Sequence, residues 1–346
     1  MVDLQDSLNL YCPEVRYHRV FRDDVLNIFE SNLKDECLRT YGGFEKIVSK
    51  LLSSESVKLC WYISKRTSPN AAAGLIPNSR IGIIRINAGL ILRSKNLFLD
   101  LTCDDNSRWV GERLDRLSRL FEGDFKGLLF DLAMIFSFYH ELAHINQKLN
   151  NKLYEKLSST KPHNLTDREK RILNYLEYDA DIYASLTVTD HLIHNYFDRI
   201  NYSLITEELM GDSIALLCLP IYISMSQFRD FDQGIYQFGD SHPHPRMRLL
   251  VSTYHSISQC VDYVMVKNIN FEIDPLPVFK SMIELSKVLY HDNLTLMDSL
   301  LKEIDSTESF DIENFLNDIL RIVNNNKDFA TSMRHELALS QRSSHN

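Results

Sequence analysis

Hydrophobic and polar positions follow two rhythms along this chain, and the change falls near residue 107. Before it the pattern is mixed. Residues 44–52 (FEKIVSKLL) have helical spacing. Residues 57–64 (VKLCWYIS) are β-branched and aromatic without a breaker, which predicts a strand. A stretch rich in Pro, Asn and Gly at 68–79 predicts turns. Residues 80–92 (RIGIIRINAGLIL) predict a second strand that turns at Asn87 to Gly89. A small sheet therefore precedes the helices.

After residue 107 the apolar positions recur at helical spacing. Residues 108–121 form a charged amphipathic pattern. Asp124 suits the N-cap of a helix running to about residue 149. Thr166-Asp167-Arg168-Glu169 fits a capping box and predicts the next helix start. Residues 203–228 predict a helix bent or broken at Pro220. Pro245 suits the first turn of another, reaching about residue 266. Two or three further amphipathic helices are expected over 275–325, then a polar tail.

Composition changes this picture only by exclusion. The 346 residues are 44 % apolar and 25 % charged, ordinary for a globular chain with a sizeable core. The net charge of −9 argues against a protein that coats nucleic acid or an anionic membrane. The best apolar stretches, 127–139 and 214–225, are interrupted by Asp131 and Pro220 and fall short of the ~20 residues of a spanning helix. The N-terminus lacks the basic and apolar regions of a signal peptide, so the expected address is the cytoplasm. The six cysteines include no CxxC pair and are expected to be buried, reduced thiols.

The chemistry lies in His140-Glu141-Leu142-Ala143-His144, which fits H-E-x-x-H. Residues four apart share a helix face, so both imidazoles can address one ion, and Glu141 can act as general base on a water there. Chance would supply about 0.02 such matches in a chain of this composition. Neutral imidazoles suit zinc, and a catalytic zinc needs a third protein ligand and an open position. Glu177 is the candidate third ligand. Asp181, one turn later, could accept the ring N–H of a ligand histidine. The alternative is that these carboxylates solvate a helix face, but Leu176, Ala180 and Ala184 beside them suggest a buried neighbourhood. Residues 241–248 (SHPHPRMR) place two His and two Arg at a helix start. They could stabilise an oxyanion, or be a turn shaped by X-Pro repeats.

In this order, HExxH, then Glu177-x-x-Ala180-Asp181-x-x-Ala184, then His242-Pro243 with Arg248 resembles the gluzincin peptidases of the HtpX and CAAX-prenyl-protease type. It is still more similar to the soluble phage-exclusion peptidases of the Lit family. The resemblance spans about 80–255, with an insertion between His144 and Glu177 and an extension after about 266.

It implies that His140, His144 and Glu177 bind Zn2+, that Glu141 is base and later proton donor, and that Asp181 supports the ligands. It further implies that His242 polarises the scissile carbonyl, that Arg248 braces the site, and that residues 81–86 pair with substrate as an added strand. The implied activity is a cytosolic endopeptidase acting in phage defence, cleaving a host translation elongation factor when a phage-derived protein is present. Rival readings are a metal-binding regulatory or sensor protein without turnover, a toxin acting by proteolysis, and a housekeeping quality-control peptidase.

The expected fold is α+β: a small N-terminal sheet over the metal-binding helix, and a mostly helical remainder. The expected division is an α/β part of the catalytic domain at 1–100, a helical core with the zinc site at 101–266, and a helical extension with polar tail at 267–346.

Overall fold

The structure, a computed structural model, describes residues 24–51, 58–76, 80–100, 124–150, 157, 160, 164–199, 201–202, 205–226, 245–268 and 270–289. It is a mixed α+β fold with a small three-stranded sheet and a mostly helical remainder. The chain divides into two compact units. The first comprises Met1–Leu101 and Lys126–Leu149, and the second Thr102–Phe125 and Asn150–Asn346.

The first unit holds helix α1 (Lys34–Leu51), strands β1 (Lys58–Ser64), β2 (Ala71–Leu75) and β3 (Ile81–Asn87), the short helix α2 (Ala88–Ser94) and the long helix α3 (Phe125–Asn150). The sheet order is β1-β3-β2, with β1 parallel and β2 antiparallel to β3. β2 lies inside the stretch expected to be only turns. Its sequence, AAAGL, carries no β-branched or aromatic residue, so the strand exists through pairing with β3 and not through propensity. The segment expected as one strand to residue 92 becomes helical at Ala88, just after Asn87. Gly89 permits that turn: a Cβ there would stand 1.9 Å from the carbonyl oxygen of Thr67.

This topology corrects the expectation for residues 81–86. β3 is the central strand, bonded on both sides, so it has no edge to offer an incoming chain. The far side of β1 is taken by the Val25–Ser64 bridge and the bond from Leu26 N–H to Ile63 O. Among the described residues, β2 carries the edge without a further strand.

The sheet packs on α3. A Cβ at Gly82 would meet Ile145 Cγ2 at 2.7 Å, so the missing side chain lets the helix approach β3 closely. Phe138 of α3 stacks on Phe44 with ring centroids 4.4 Å apart, and Phe44 meets Trp61 of β1 edge-on at 5.3 Å. Asp131, the one charge in the apolar run of α3, is absorbed by a two-pronged pair with Arg39 at 2.7 and 2.9 Å. α3 is also, among the described residues, long and apolar enough to cross a membrane. However, 83 % of its apolar window is buried, as in a core helix.

The second unit is helical among its described residues: α4 (Asp167–Asn195), α5 (Glu207–Ser226), α6 (Pro245–Lys267) and α7 (Pro275–Leu289). The capping box at Thr166 is formed, with Glu169 N–H donating to Thr166 Oγ1 and Thr166 N–H to Glu169 Oε2. α5 is central, buried at every position from 212 to 224, and packs against α6 and α7. It runs through Pro220 unbroken, contrary to expectation. Proline removes one backbone bond, and burial on all sides leaves the helix as the only way to satisfy the others.

Cys37, Cys218 and Cys260 are free and buried, but Cys60 on β1 is disulfide-bonded, which corrects the reading of six reduced thiols. Pairing follows proximity in space, which sequence spacing does not report.

Candidate metal centre

α3 brings the two histidines of the H-E-x-x-H segment together. Their rings stand at 90° with centroids 4.7 Å apart. The two Nε2 atoms are 3.1 Å apart. Two imidazoles on one tetrahedral zinc, each bonded at ~2.0–2.1 Å, would sit at nearly this separation. His140, Glu141 and His144 are all buried, at 8, 8 and 7 % exposure. The motif holds this geometry because α3 is packed almost all round, including on Ile145 immediately after His144.

One turn further on, Gln147 is buried too, and its Oε1 lies 2.9 Å from His144 Nδ1. An amide oxygen only accepts, so Nδ1 is the donor and carries the hydrogen. That leaves the lone pair of His144 on Nε2, the atom facing His140. Sequence reasoning missed Gln147. The available signal was its place seven residues after His140 and three after His144, on the same buried stripe.

In the second unit, α4 presents Glu177 and Asp181 one turn apart, and the first turn of α6 supplies Arg248. Arg248 Nε donates to Asp181 Oδ2 at 2.6 Å, and Nη2 to Asp181 Oδ1 at 2.8 Å. Nη2 is also 3.3 Å from Glu177 Oε2. Asp181 is wholly buried and Arg248 is 5 % exposed. Burial alone would lower the Arg248 pKa, but Asp181 and then Glu177 outweigh it and raise it, so the guanidinium stays charged. Burial, with the Asp181 charge nearby, pushes the Tyr178 phenol up.

Asp181 thus does not play the part expected from sequence. Both its oxygens accept from Arg248, and the His144 ring N–H goes to Gln147 instead. A guanidinium offers a two-pronged, fully charged partner, which a buried carboxylate binds more strongly than one imidazole N–H.

His140, His144 and Glu177 form a group that could hold a metal ion. Their ligand atoms all lie within 4.8 Å of one another, the histidines buried and Glu177 partly so. His242, the expected carbonyl-polarising residue, lies outside the described residues. No protein-family profile, curated protein or solved structure gives a significant match to the chain.

Proposed function

We propose that the chain is a zinc-dependent endopeptidase. The observation that carries this reading is the pair of Nε2 atoms 3.1 Å apart on one buried helix, with Glu141 between their residues in sequence and Glu177 in the same ligand group. Two imidazoles and one carboxylate are the donor set of catalytic zinc, which keeps a position for water. His140, His144 and Glu177 would hold the ion. When bound, zinc supplies a Lewis acid that makes a water acidic and polarises a carbonyl.

The chain's own residues do the rest. Glu141 takes the proton of the attacking water and returns it to the leaving amine. Arg248 holds one Glu177 oxygen, which favours presentation of the other. The substrate is an extended polypeptide segment, and β2 supports this as the strand whose outer edge could accept it. By its resemblance to Lit-type peptidases, the enzyme works in the cytosol in antiviral defence on a host protein such as a translation elongation factor, with a phage-derived activator. A binding-only metal sensor has no need of the base that Glu141 supplies.

Metal analysis of the purified chain and mapping of new protein N-termini in cells test this. One zinc per chain is expected, with a discrete new terminus for the wild type and none for Glu141→Gln. Absence of metal, or cleavage undiminished in Glu141→Gln, would overturn it.

A further inference from the structure

We infer that Gln147 is a positioning residue for His144: it fixes the ring with hydrogen on Nδ1 and lone pair on Nε2, and its neutral amide keeps that ligand a modest electron donor. The inference rests on the zinc reading above and deepens it. Three observations carry it.

Gln147 lies seven residues beyond His140 and three beyond His144, so all three share one face of α3. Gln147 is 4 % exposed, and a buried amide is stable only when hydrogen-bonded. Its Oε1 is 2.9 Å from His144 Nδ1, an ordinary hydrogen bond whose direction is forced because a carbonyl oxygen cannot donate.

The consequence is chemical. An imidazole side chain left to itself favours hydrogen on Nε2, the nitrogen that here faces His140. Gln147 reverses that preference and so prepares Nε2 as a ligand before any metal arrives. The nature of the acceptor matters as well. A carboxylate in this position would draw the Nδ1 hydrogen harder, make the ring a stronger base and bind metal more tightly. An amide leaves more positive character on the ion and therefore a more acidic bound water. Asp181, the acidic residue expected to fill this position, is committed to Arg248 at 2.6 and 2.8 Å.

The test uses the full chain labelled with 15N-histidine. In the metal-free protein, two-bond proton–nitrogen correlations report each ring's tautomer, and the His144 signals are identified by their loss in His144→Asn. The wild type is expected to show His144 with hydrogen on Nδ1. Gln147→Leu should return it toward the Nε2–H form and weaken zinc binding about 10–100-fold in a chelator competition. Gln147→Glu, nearly isosteric, should keep the Nδ1–H form and bind zinc more tightly than wild type. It also serves if the leucine variant does not fold.

His144 carrying its hydrogen on Nε2 in the wild type would overturn the inference, as would zinc affinity equal within twofold in all three proteins. If no variant takes up zinc, the proposed activity falls and the metal-free tautomer alone decides the role of Gln147. If zinc binds and the tautomer ignores residue 147, the activity stands and the inference falls.

Discussion

Replacing Arg248 by Met probes how the carboxylates of α4 are tolerated in a buried setting. The wild-type guanidinium meets Asp181 with two bonds at 2.6 and 2.8 Å and lies 3.3 Å from Glu177 Oε2. Asp181 has no exposure and Arg248 only 5 %. Methionine fills similar volume but leaves Asp181 without that counter-charge. Removing one partner of a buried pair costs about 3–5 kcal/mol, because the remaining charge keeps its desolvation penalty. With a urea slope of about 2 kcal/mol per molar, the unfolding midpoint should fall by roughly 1.5–2.5 M, read by far-ultraviolet circular dichroism. Arg248→Lys keeps the charge but cannot make both bonds, so it should fall between wild type and methionine. The double variant Asp181→Leu, Arg248→Met removes both charges and should be more stable than Arg248→Met alone, a coupling of at least ~2 kcal/mol. A loss below ~1 kcal/mol for Arg248→Met, or additive single effects in the double variant, would refute the reasoning. Zinc affinity should fall in the lysine variant as well, since Glu177 loses its fixed oxygen.

Other outcomes follow from local geometry. Gly89→Ala puts a Cβ about where the Thr67 carbonyl oxygen now stands, at 1.9 Å, and should cost more than ~3 kcal/mol in chemical denaturation. Thr166→Ala removes the capping box of α4 and should cost about 1 kcal/mol by the same measurement. Burial alone would raise the Asp24 pKa, but hydrogen bonds from Arg66 and Ser64 and the Arg66 charge outweigh it, so the folded pKa lies below 3.8. Its contribution to stability is therefore complete above 3.8 and lost as pH falls through the lower folded value. Asp24→Asn should melt lower than wild type at pH 7, and the gap should close on titration below pH 3.8.

What the sequence made legible was what local spacing controls. The long helix of the motif, the capping box at Thr166 and the strand before residue 64 all follow from patterns within a few residues. The two histidines could be paired because a helix makes four residues a fixed distance. What escaped was set by partners far along the chain. β2 is three alanines and a glycine plus one leucine, held by a neighbour and not by preference. Pro220 reads as a breaker until the surroundings of α5 are known. Asp181 had two chemically sensible partners, a ring N–H and a guanidinium, and only folding brought Arg248 from 67 residues away to choose between them.

The edge of β2 yields the sharpest test of how substrate would lie. Asn87 N–H donates to Asn70 O and Ile76 N–H to Ile81 O, so even-numbered positions bond inward to β3. By alternation, Ala72 and Gly74 also face β3, while Ala71, Ala73 and Leu75 turn their backbone groups outward. Lys148 agrees with this parity, since its Nζ donates to the Ala73 carbonyl at 2.8 Å. Proline at 73 should then be tolerated, because it removes only an outward N–H, whereas proline at 72 removes a ladder bond and should cost ~3 kcal/mol or more. Two measurements separate fold from function. In thermal melting, Ala73→Pro should stay near wild type and Ala72→Pro should fall sharply. In peptide cleavage, Ala73→Pro should lose a substrate hydrogen bond worth ~0.5–1.5 kcal/mol and add a ring in the path of the incoming strand. KM should therefore rise about tenfold or more, with zinc affinity unchanged. Melting behaviour with the parity reversed would show the register of β2 to be wrong. Correct melting with unaltered cleavage would show that substrate does not add to this edge.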